Sequence, residues 1–221
     1  SLELTPCGGI KVHATRLTRY RRAVPIQWAV SEGEKVTGVT TMQMGEGLDT
    51  GEMIMKTGVP VDEDETGETL HDKLAAAGAA LCVRTLEAVE NGTAVFEKQG
   101  ESPTAYAKML DKKMGDVDWS QPAVRIERLV RGLNSWPSAY THWNGKVVKI
   151  WRAKAEGEGA GEKEPGTVIS VGKNDFTVQT GSGILRVYEL QIPGKKRMET
   201  GAFLRGYALE EGTVFTREEH A

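Results

Sequence analysis

The sequence has little cysteine and no long apolar run. Its only cysteines are Cys7 and Cys82, too few for a disulfide framework, so a reducing, cytoplasmic setting is predicted. No apolar stretch approaches the length of a membrane span, which argues against an integral membrane protein. The chain does not open on a basic segment followed by an apolar one, so no secretory leader is predicted.

Metal ligands are also scarce. The cysteines lie far apart, and the histidines have no ligand-like spacing, so no metal site is predicted. The histidines are His13, His71, His142 and His220. What the chain does contain is ordinary for a globular protein, with 39% hydrophobic and 27% charged residues. That is enough apolar material for a core, in one large domain or two small ones.

The first 92 residues show a strand–helix–strand pattern. Residues 10–14 form a short β-like run, Pro25 suits the first turn of a helix, and residues 36–44 are rich in Val, Thr and Met. This order predicts a parallel pair of strands joined by a right-handed crossover. A long helix is predicted over 68–91. We therefore predict a partial Rossmann-like α/β domain with a parallel sheet over residues 1–92.

A different pattern follows a linker predicted over residues 93–115. Apolar residues at helical spacing predict a helix after Pro122, and Asn144-Gly145 between two β-like runs is a strong hairpin signal. Including this hairpin, about five short strands with tight turns are predicted, as in a small barrel. We predict a small OB-like β-barrel domain over residues 116–221, and the fold class is α/β plus β.

One histidine and one acid lie at or just after the ends of the two strands predicted in the first domain. His13 ends the first strand, and Asp49 lies in a Gly-Leu-Asp-Thr-Gly turn after the second. Ligands bind at the carboxyl ends of strands in open α/β sheets, where both residues are expected. A carboxylate that orients an imidazole suits general acid–base catalysis. Spacing alone also fits a structural histidine and a turn-forming aspartate.

A basic stretch lies between residues 122 and 154. It has one acid, Glu127, against seven Lys and Arg residues. Four aromatic residues are interleaved with them: Trp136, Tyr140, Trp143 and Trp151. Such a surface suits nucleic acid, although the net charge of −3 argues against wholesale nucleic-acid binding. A solvated basic face around a Trp-containing core explains the same pattern.

Several motifs resemble the formyltransferase family. Those in the first domain are Val12-His13, Pro25-Ile26-Gln27-Trp28-Ala29, Thr37-Gly38-Val39-Thr40 and Gly47-Leu48-Asp49-Thr50-Gly51. Those in the second are Asp118-Trp119, Trp136-Pro137, Val147-Val148-Lys149-Ile150-Trp151, Pro165-Gly166-Thr167 and Gly194-Lys195-Lys196. The resemblance covers nearly the whole chain. The C-terminal motifs favour the branch of the family that acts on initiator tRNA over relatives that act on a purine nucleotide.

The resemblance implies transfer of a formyl group from 10-formyltetrahydrofolate to the α-amine of methionine on initiator tRNA. His13 and Asp49 then match two catalytic residues of the family, and Lys11 stands at the position of its catalytic Asn. The predicted folate wall, in place of the family's Ser-Leu-Leu-Pro, is Thr15, Arg16, Leu17 and Thr18. The predicted tRNA phosphate contacts are Arg125, Arg128, Lys146, Lys149, Lys195, Lys196 and Arg197.

The sequence also departs from the family. Besides Lys11, Arg22 replaces a Gly and Gly45 stands where an Asp is usual. The opening strands of the family's α/β domain have no counterpart, so an N-terminal truncation is expected. Three interpretations stay open: a monomeric formyltransferase, a non-catalytic relative that still binds tRNA, and an RNA-binding barrel module.

Overall fold

The computed structural model describes residues 8–15, 25–45, 47, 49–100 and 109–217. The chain forms two compact units, residues 1–110 and residues 111–221. The division falls at residue 110, inside the predicted linker, and the exact domain boundaries remain a prediction. In the described part of the chain, none of the helices is both long enough and apolar enough to cross a membrane.

The first unit contains a three-stranded sheet and two helices. In chain order they are β1 (Ile10–His13), α1 (Pro25–Ser31), β2 (Val36–Gln43), β3 (Met53–Pro60) and α2 (Gly67–Glu90). The sheet order is β1-β2-β3. The start of α1 at Pro25 is confirmed. The N-cap of α2 is Thr66, whose hydroxyl accepts a hydrogen bond from the Thr69 amide at 3.1 Å.

The predicted parallel pairing in the first unit is wrong. β1 and β2 are antiparallel, with Ile10 opposite Gln43, and β2 and β3 are antiparallel as well. A strand–helix–strand order with alternating side chains is compatible with parallel and with antiparallel pairing, so it does not fix strand direction. In the structure the chain enters β2 from the end of β1, and His13 lies opposite Thr40.

The two faces of β1 have different surroundings. Side chains alternate along a strand, so Lys11 and His13 share one face and Val12 lies on the other. A helix covers the Val12 face: α2 approaches so closely that a Cβ on Gly78 would lie 3.1 Å from Val12. Leu70, Leu74 and Leu81 of α2 form the core on this side with Val39, Ala29 and Val30. Lys11 and His13 therefore point away from α2.

The second unit is built on a six-stranded antiparallel sheet. Its elements are α3 (Ala123–Gly132), β4 (Ala139–Trp143), β5 (Lys146–Glu156), β6 (Val168–Val171), β7 (Phe176–Gln179), β8 (Ile184–Gln191), β9 (Met198–Glu199) and α4 (Thr200–Gly206). The strand order is β4-β5-β8-β7-β6, and β9 pairs with β8. The hairpin at Asn144-Gly145 is confirmed, and both residues have the positive φ of a type I′ turn.

A closed OB-like barrel is not confirmed. Within residues 109–217, β4 and β6 remain the two edges of the sheet, and no ladder joins them. A C-terminal segment meets each edge through a single bridge, His142 with Thr216 and Thr167 with Val214. Turn spacing in the sequence predicts the strands of such a unit, but closure depends on pairing between distant edges, which spacing does not encode.

Candidate active site

The predicted catalytic residues meet on the face of the sheet away from α2. Lys11 Nζ forms an ion pair with Asp49 Oδ1, and His13 Nδ1 lies 3.9 Å from Asp49 Oδ2. The side chains of His13 and Asp49 are 7% and 3% exposed, whereas that of Lys11 is 39% exposed. A buried acid thus sits between a buried imidazole and a partly exposed ammonium.

His13 and Asp49 lie close together for a different reason from the one predicted. Because β1 and β2 are antiparallel, His13 and Asp49 do not follow the carboxyl ends of two parallel strands. The connection between β2 and β3, residues 44–52, instead brings Asp49 back to the face that carries Lys11 and His13. Asp49 itself has a φ of +54°, in the left-handed region that Asp adopts more readily than most residues.

Sequence reasoning missed a further member of this site. The Gln99 side-chain amide donates hydrogen bonds to the carbonyl oxygens of Asp49, at 2.8 Å, and Gly51, at 2.7 Å. Gln99 lies 50 residues after Asp49, in a stretch with no motif of its own. No local signal in the sequence points to this contact.

The surroundings of His13 favour its neutral form. Burial lowers the pKa of His13, the charge of Asp49 opposes this effect by raising it, and the charge of Lys11 lowers it further. The buried Nε2 atom of His13 has no hydrogen-bond partner among the described residues. A neutral imidazole with an uncommitted nitrogen can accept a proton.

A small open cavity adjoins Lys11 and Asp49. Its volume is about 240 Å³, and its lining includes Met42, Gly45, Gly47, Thr50 and Gly51. This is below the roughly 300–1,000 Å³ of pockets that enclose a drug-sized ligand, so it suits the reacting end of a larger substrate. Gly51 is required here, since a Cβ would lie 1.6 Å from the carbonyl oxygen of Gln43.

One residue of the predicted folate wall is described. Thr15 is buried, and its carbonyl accepts a hydrogen bond from the Thr40 hydroxyl at 2.8 Å. Arg16, Leu17 and Thr18 lie outside the described residues, as does Arg22. Among the described residues, no group of three or more His, Cys, Asp or Glu side chains is arranged to hold a metal ion.

The predicted tRNA contacts lie on three elements of the second unit. Arg125 and Arg128 are three positions apart on α3, Lys146 and Lys149 are on β5, and Lys195, Lys196 and Arg197 lie between β8 and β9. The Arg197 guanidinium and Lys149 Nζ are 5.0 and 5.6 Å from the centre of the Trp151 ring.

The interleaved aromatic residues divide between surface and core. Trp136 is 55% exposed, whereas Trp143 is 7% exposed and packs edge-on against Phe203. The Arg131 guanidinium also has a partner within the second unit, since it donates two hydrogen bonds to the Glu127 carboxylate at 2.6 and 3.0 Å. The basic stretch is therefore in part a face around a tryptophan-containing core.

Comparison with known families assigns both units. A family model for formyl transferases matches residues 2–86, and one for the C-terminal domain of formyl transferases matches residues 109–208. The methionyl-tRNA formyltransferase of Agathobacter rectalis is 54% identical over 97% of this chain and 69% of that protein. The chain belongs to the methionyl-tRNA formyltransferase family. The resemblance seen in the motifs is confirmed.

Other members of the methionyl-tRNA formyltransferase family show similar coverage. The protein from Caldanaerobacter subterraneus is 43% identical over 96% of this chain and 68% of its own length. The chain thus spans about two thirds of the length of these curated relatives.

Solved structures show that the fold is a formyltransferase fold. HypX from Aquifex aeolicus in complex with tetrahydrofolic acid matches 95% of this chain and 39% of that one, with a TM-score of 0.66 and 21% identity. WlaRD, a sugar 3N-formyl transferase crystallised in the presence of dTDP and 5-N-formyl-THF, matches 85% of this chain and 66% of that one, with a TM-score of 0.66 and 18% identity.

Proposed function

We propose that this chain transfers a formyl group from 10-formyltetrahydrofolate to the α-amine of methionine on initiator tRNA. The observation that carries the proposal is the meeting of Lys11, His13 and Asp49, of which Lys11 and Asp49 line a glycine-rich cavity, with His13 Nε2 uncommitted. The curated relatives bear the name of this activity. We also propose that the chain acts in the cytoplasm as a monomer.

The residues present fit the formyl donor. A buried, uncommitted imidazole nitrogen needs a polar partner, and the cavity next to Asp49 has room for the reacting end of a larger molecule. When bound, 10-formyltetrahydrofolate supplies the activated formyl group. Lys11, Asp49 and the backbone around Gly45, Gly47 and Gly51 would hold that end, with Thr15–Thr18 as the proposed outer wall.

His13 is the proposed proton acceptor. The attacking α-amine must lose a proton as its bond to the formyl carbon forms, and the neutral His13 Nε2 can take it. The carboxylate of Asp49 then stabilises the positive imidazolium, because the two groups lie 3.9 Å apart in a buried setting. His13 can next donate the proton to the departing nitrogen.

Lys11 has two opposing effects in this scheme. Its ammonium is a donor that can meet the negative charge that develops on the formyl oxygen. It also pairs with Asp49 and lowers the pKa of His13, which weakens the base. An asparagine would keep a donor without a charge, so we expect the reaction to be faster with asparagine at position 11.

The pH dependence of activity follows from the state of His13. Since burial lowers the pKa of His13 from 6.5, its neutral form persists below that pH. We expect the profile of kcat against pH to contain an acid limb that belongs to His13, with its midpoint below pH 6.5. A pH–rate profile at saturating charged initiator tRNA measures this limb, which should disappear in His13→Gln. A limb that persists unchanged in His13→Gln would contradict the assignment of His13 as the base.

The second unit is proposed to hold the tRNA. Lys149 and Arg197 place two cations over the Trp151 ring, where Arg197 is also held by an ion pair with Glu189. Lys195 and Lys196 are exposed beside Arg197. Arginine, lysine and aromatic groups in such proximity suit contacts to phosphates and bases. We propose the same role for Arg125, Arg128 and Lys146.

Neutralising two arginines on α3 should weaken tRNA binding. We expect the Arg125→Gln, Arg128→Gln double variant to bind with lower affinity and to reduce the slope of log affinity against log salt by about 1 to 2, because fewer counterions are released. Filter binding between low and high salt measures both effects. Arg84→Gln with Lys163→Gln removes the same charge elsewhere and should leave the slope unchanged. An unchanged slope in both double variants would show that the α3 arginines are only a solvated face.

A second function is favoured by one observation. Lys11 occupies the Asp49 carboxylate, and the 3.9 Å between Asp49 and His13 exceeds hydrogen-bonding distance. A chain with this arrangement could bind tRNA without formyl transfer. Incubation with 10-formyltetrahydrofolate and methionine-charged initiator tRNA separates the two functions. Formylmethionyl-tRNA supports the enzyme, whereas tRNA binding without product from either the chain or Lys11→Asn supports the binding protein.

A further inference from the structure

A glutamine distant in sequence holds the turn that carries Asp49. The Gln99 Nε2 atom donates to the carbonyl oxygens of Asp49 and Gly51, at 2.8 and 2.7 Å. One side-chain amide therefore fixes two carbonyls on either side of Thr50. Both bonds have the length of normal N–H···O hydrogen bonds.

The backbone of this turn needs such support. Asp49 has a φ of +54°, a conformation that costs free energy in any residue with a side chain. The turn is also packed tightly, because Gly51 leaves no space for a Cβ against Gln43. A small change in the turn would therefore move the Asp49 carboxylate relative to Lys11 and His13.

Gln99 is itself anchored to the sheet. Two residues earlier, Glu97 exchanges two backbone hydrogen bonds with Met53, the first residue of β3, each at 2.8 Å. The Gln99 amide also lies 3.8 Å from Met42 Sδ, beside the end of β2. The segment that ends in Gln99 thus pairs with the start of β3, and this pairing places the Gln99 amide beside the turn between β2 and β3.

We propose that Gln99 is a positioning residue for formyl transfer: it holds the Asp49 turn so that the carboxylate keeps its distances to Lys11 and His13. The role in catalysis rests on the proposed function. Gln99 acts through the backbone of Asp49 and Gly51, since its amide donors are used by their carbonyls. Such indirect support is a common requirement of catalytic groups.

Two variants of Gln99 test the proposal in the 221-residue chain. Gln99→Met keeps the length but cannot donate, and Gln99→Glu keeps the shape but turns a carboxylate toward two carbonyls. We expect kcat for formyl transfer to fall by about 10- to 100-fold, because small misplacements of catalytic groups have such effects, with KM for tRNA unchanged. Glu97→Gln is the control: it loses only the 3.0 Å ion pair to Lys56 and should keep the wild-type kcat.

A second readout does not depend on turnover. Nitrogen-15 NMR titration of the His13 ring should show a lower pKa in Gln99→Met than in the wild type, because the Asp49 charge that raises the pKa of His13 moves away. Wild-type titration and wild-type kcat in both variants would overturn the proposal. A loss of thermal stability with unchanged His13 titration would also overturn it, since Gln99 would then be merely structural.

The two hypotheses fail separately. If the unmodified chain shows no formyl transfer, the proposed function fails, and the His13 titration still decides whether Gln99 positions Asp49. If neither variant folds in a thermal melt, Gln99→Asn replaces them. It keeps the amide but is one methylene shorter, and the same shift of the His13 titration is expected.

Discussion

Replacing His13 by glutamine lowers kcat for formyl transfer by about 10²- to 10⁴-fold, the range in which a positioned acid–base group contributes. The imidazole is the buried group of the site with an uncommitted nitrogen and a pKa shifted toward the neutral form. Glutamine has a similar size and can form hydrogen bonds, but it cannot accept and release a proton near neutral pH. The rate is measured with saturating formyl donor and charged initiator tRNA.

His71 provides the matched control for this substitution. Its side chain is 67% exposed on α2, and its Nδ1 atom lies 3.4 Å from Asp72. His71→Gln should keep the wild-type kcat. A His13→Gln variant that folds normally and keeps the wild-type rate would remove His13 from the mechanism.

Replacing Lys11 by asparagine raises kcat by roughly tenfold or more, the factor that corresponds to about 1.4 kcal/mol of barrier. The ion pair with Lys11 currently occupies the Asp49 carboxylate. Without it, the charge of Asp49 supports the imidazolium of His13 with no opposing ammonium, and the amide still offers a neutral donor. The same change removes a charge that lowers the pKa of His13, so the acid limb of the pH–rate profile should move to higher pH.

Lys56→Asn is the control for a lost positive charge. Lys56 lies on β3, where it pairs with the exposed Glu97 at 3.0 Å, and its loss should leave kcat unchanged. A fall in kcat on Lys11→Asn would contradict the argument. It would mean that the ammonium of Lys11 is needed at the developing negative charge more than Asp49 is needed at His13.

Local features of the fold were predictable because local physics determines them. The hairpin at Asn144-Gly145 requires two residues with positive φ, which this dipeptide supplies. Thr66 begins α2 because its hydroxyl satisfies a free amide of the first turn. Strand direction was not predictable in this way. The alternation of side chains in β1 and β2 is the same for parallel and antiparallel pairing, so the sequence around His13 was compatible with both.

The candidate site was predictable only in part. The motifs predicted His13 and Asp49 as partners, and they do lie close together, but a loop brings them together rather than parallel strand ends. The ion pair of Lys11 with Asp49 depends on the three-dimensional course of residues 44–52. Gln99 lies 50 residues from the turn it holds, and an isolated glutamine carries no signal of such a contact.

The basic stretch shows the same limit. Trp143 and Trp151 both lie in the same basic, aromatic stretch of the sequence. In the structure, however, Trp143 packs in the core, whereas Trp151 lies beneath Lys149 and Arg197. The alternation along β4 and β5 decides which face each ring occupies. Charge and aromatic content alone therefore predicted a surface, whereas the fold selects which residues belong to it.

The most direct test of formyl transfer by this chain is a single-turnover experiment. The 221-residue chain, in excess over methionine-charged initiator tRNA, is mixed with 10-formyltetrahydrofolate, and formylmethionyl-tRNA is followed with time, which separates chemistry from product release. Product formed by the unmodified chain, faster with Lys11→Asn and strongly slowed with His13→Gln, is the predicted result. Bound tRNA with no product from either the unmodified chain or Lys11→Asn would contradict it.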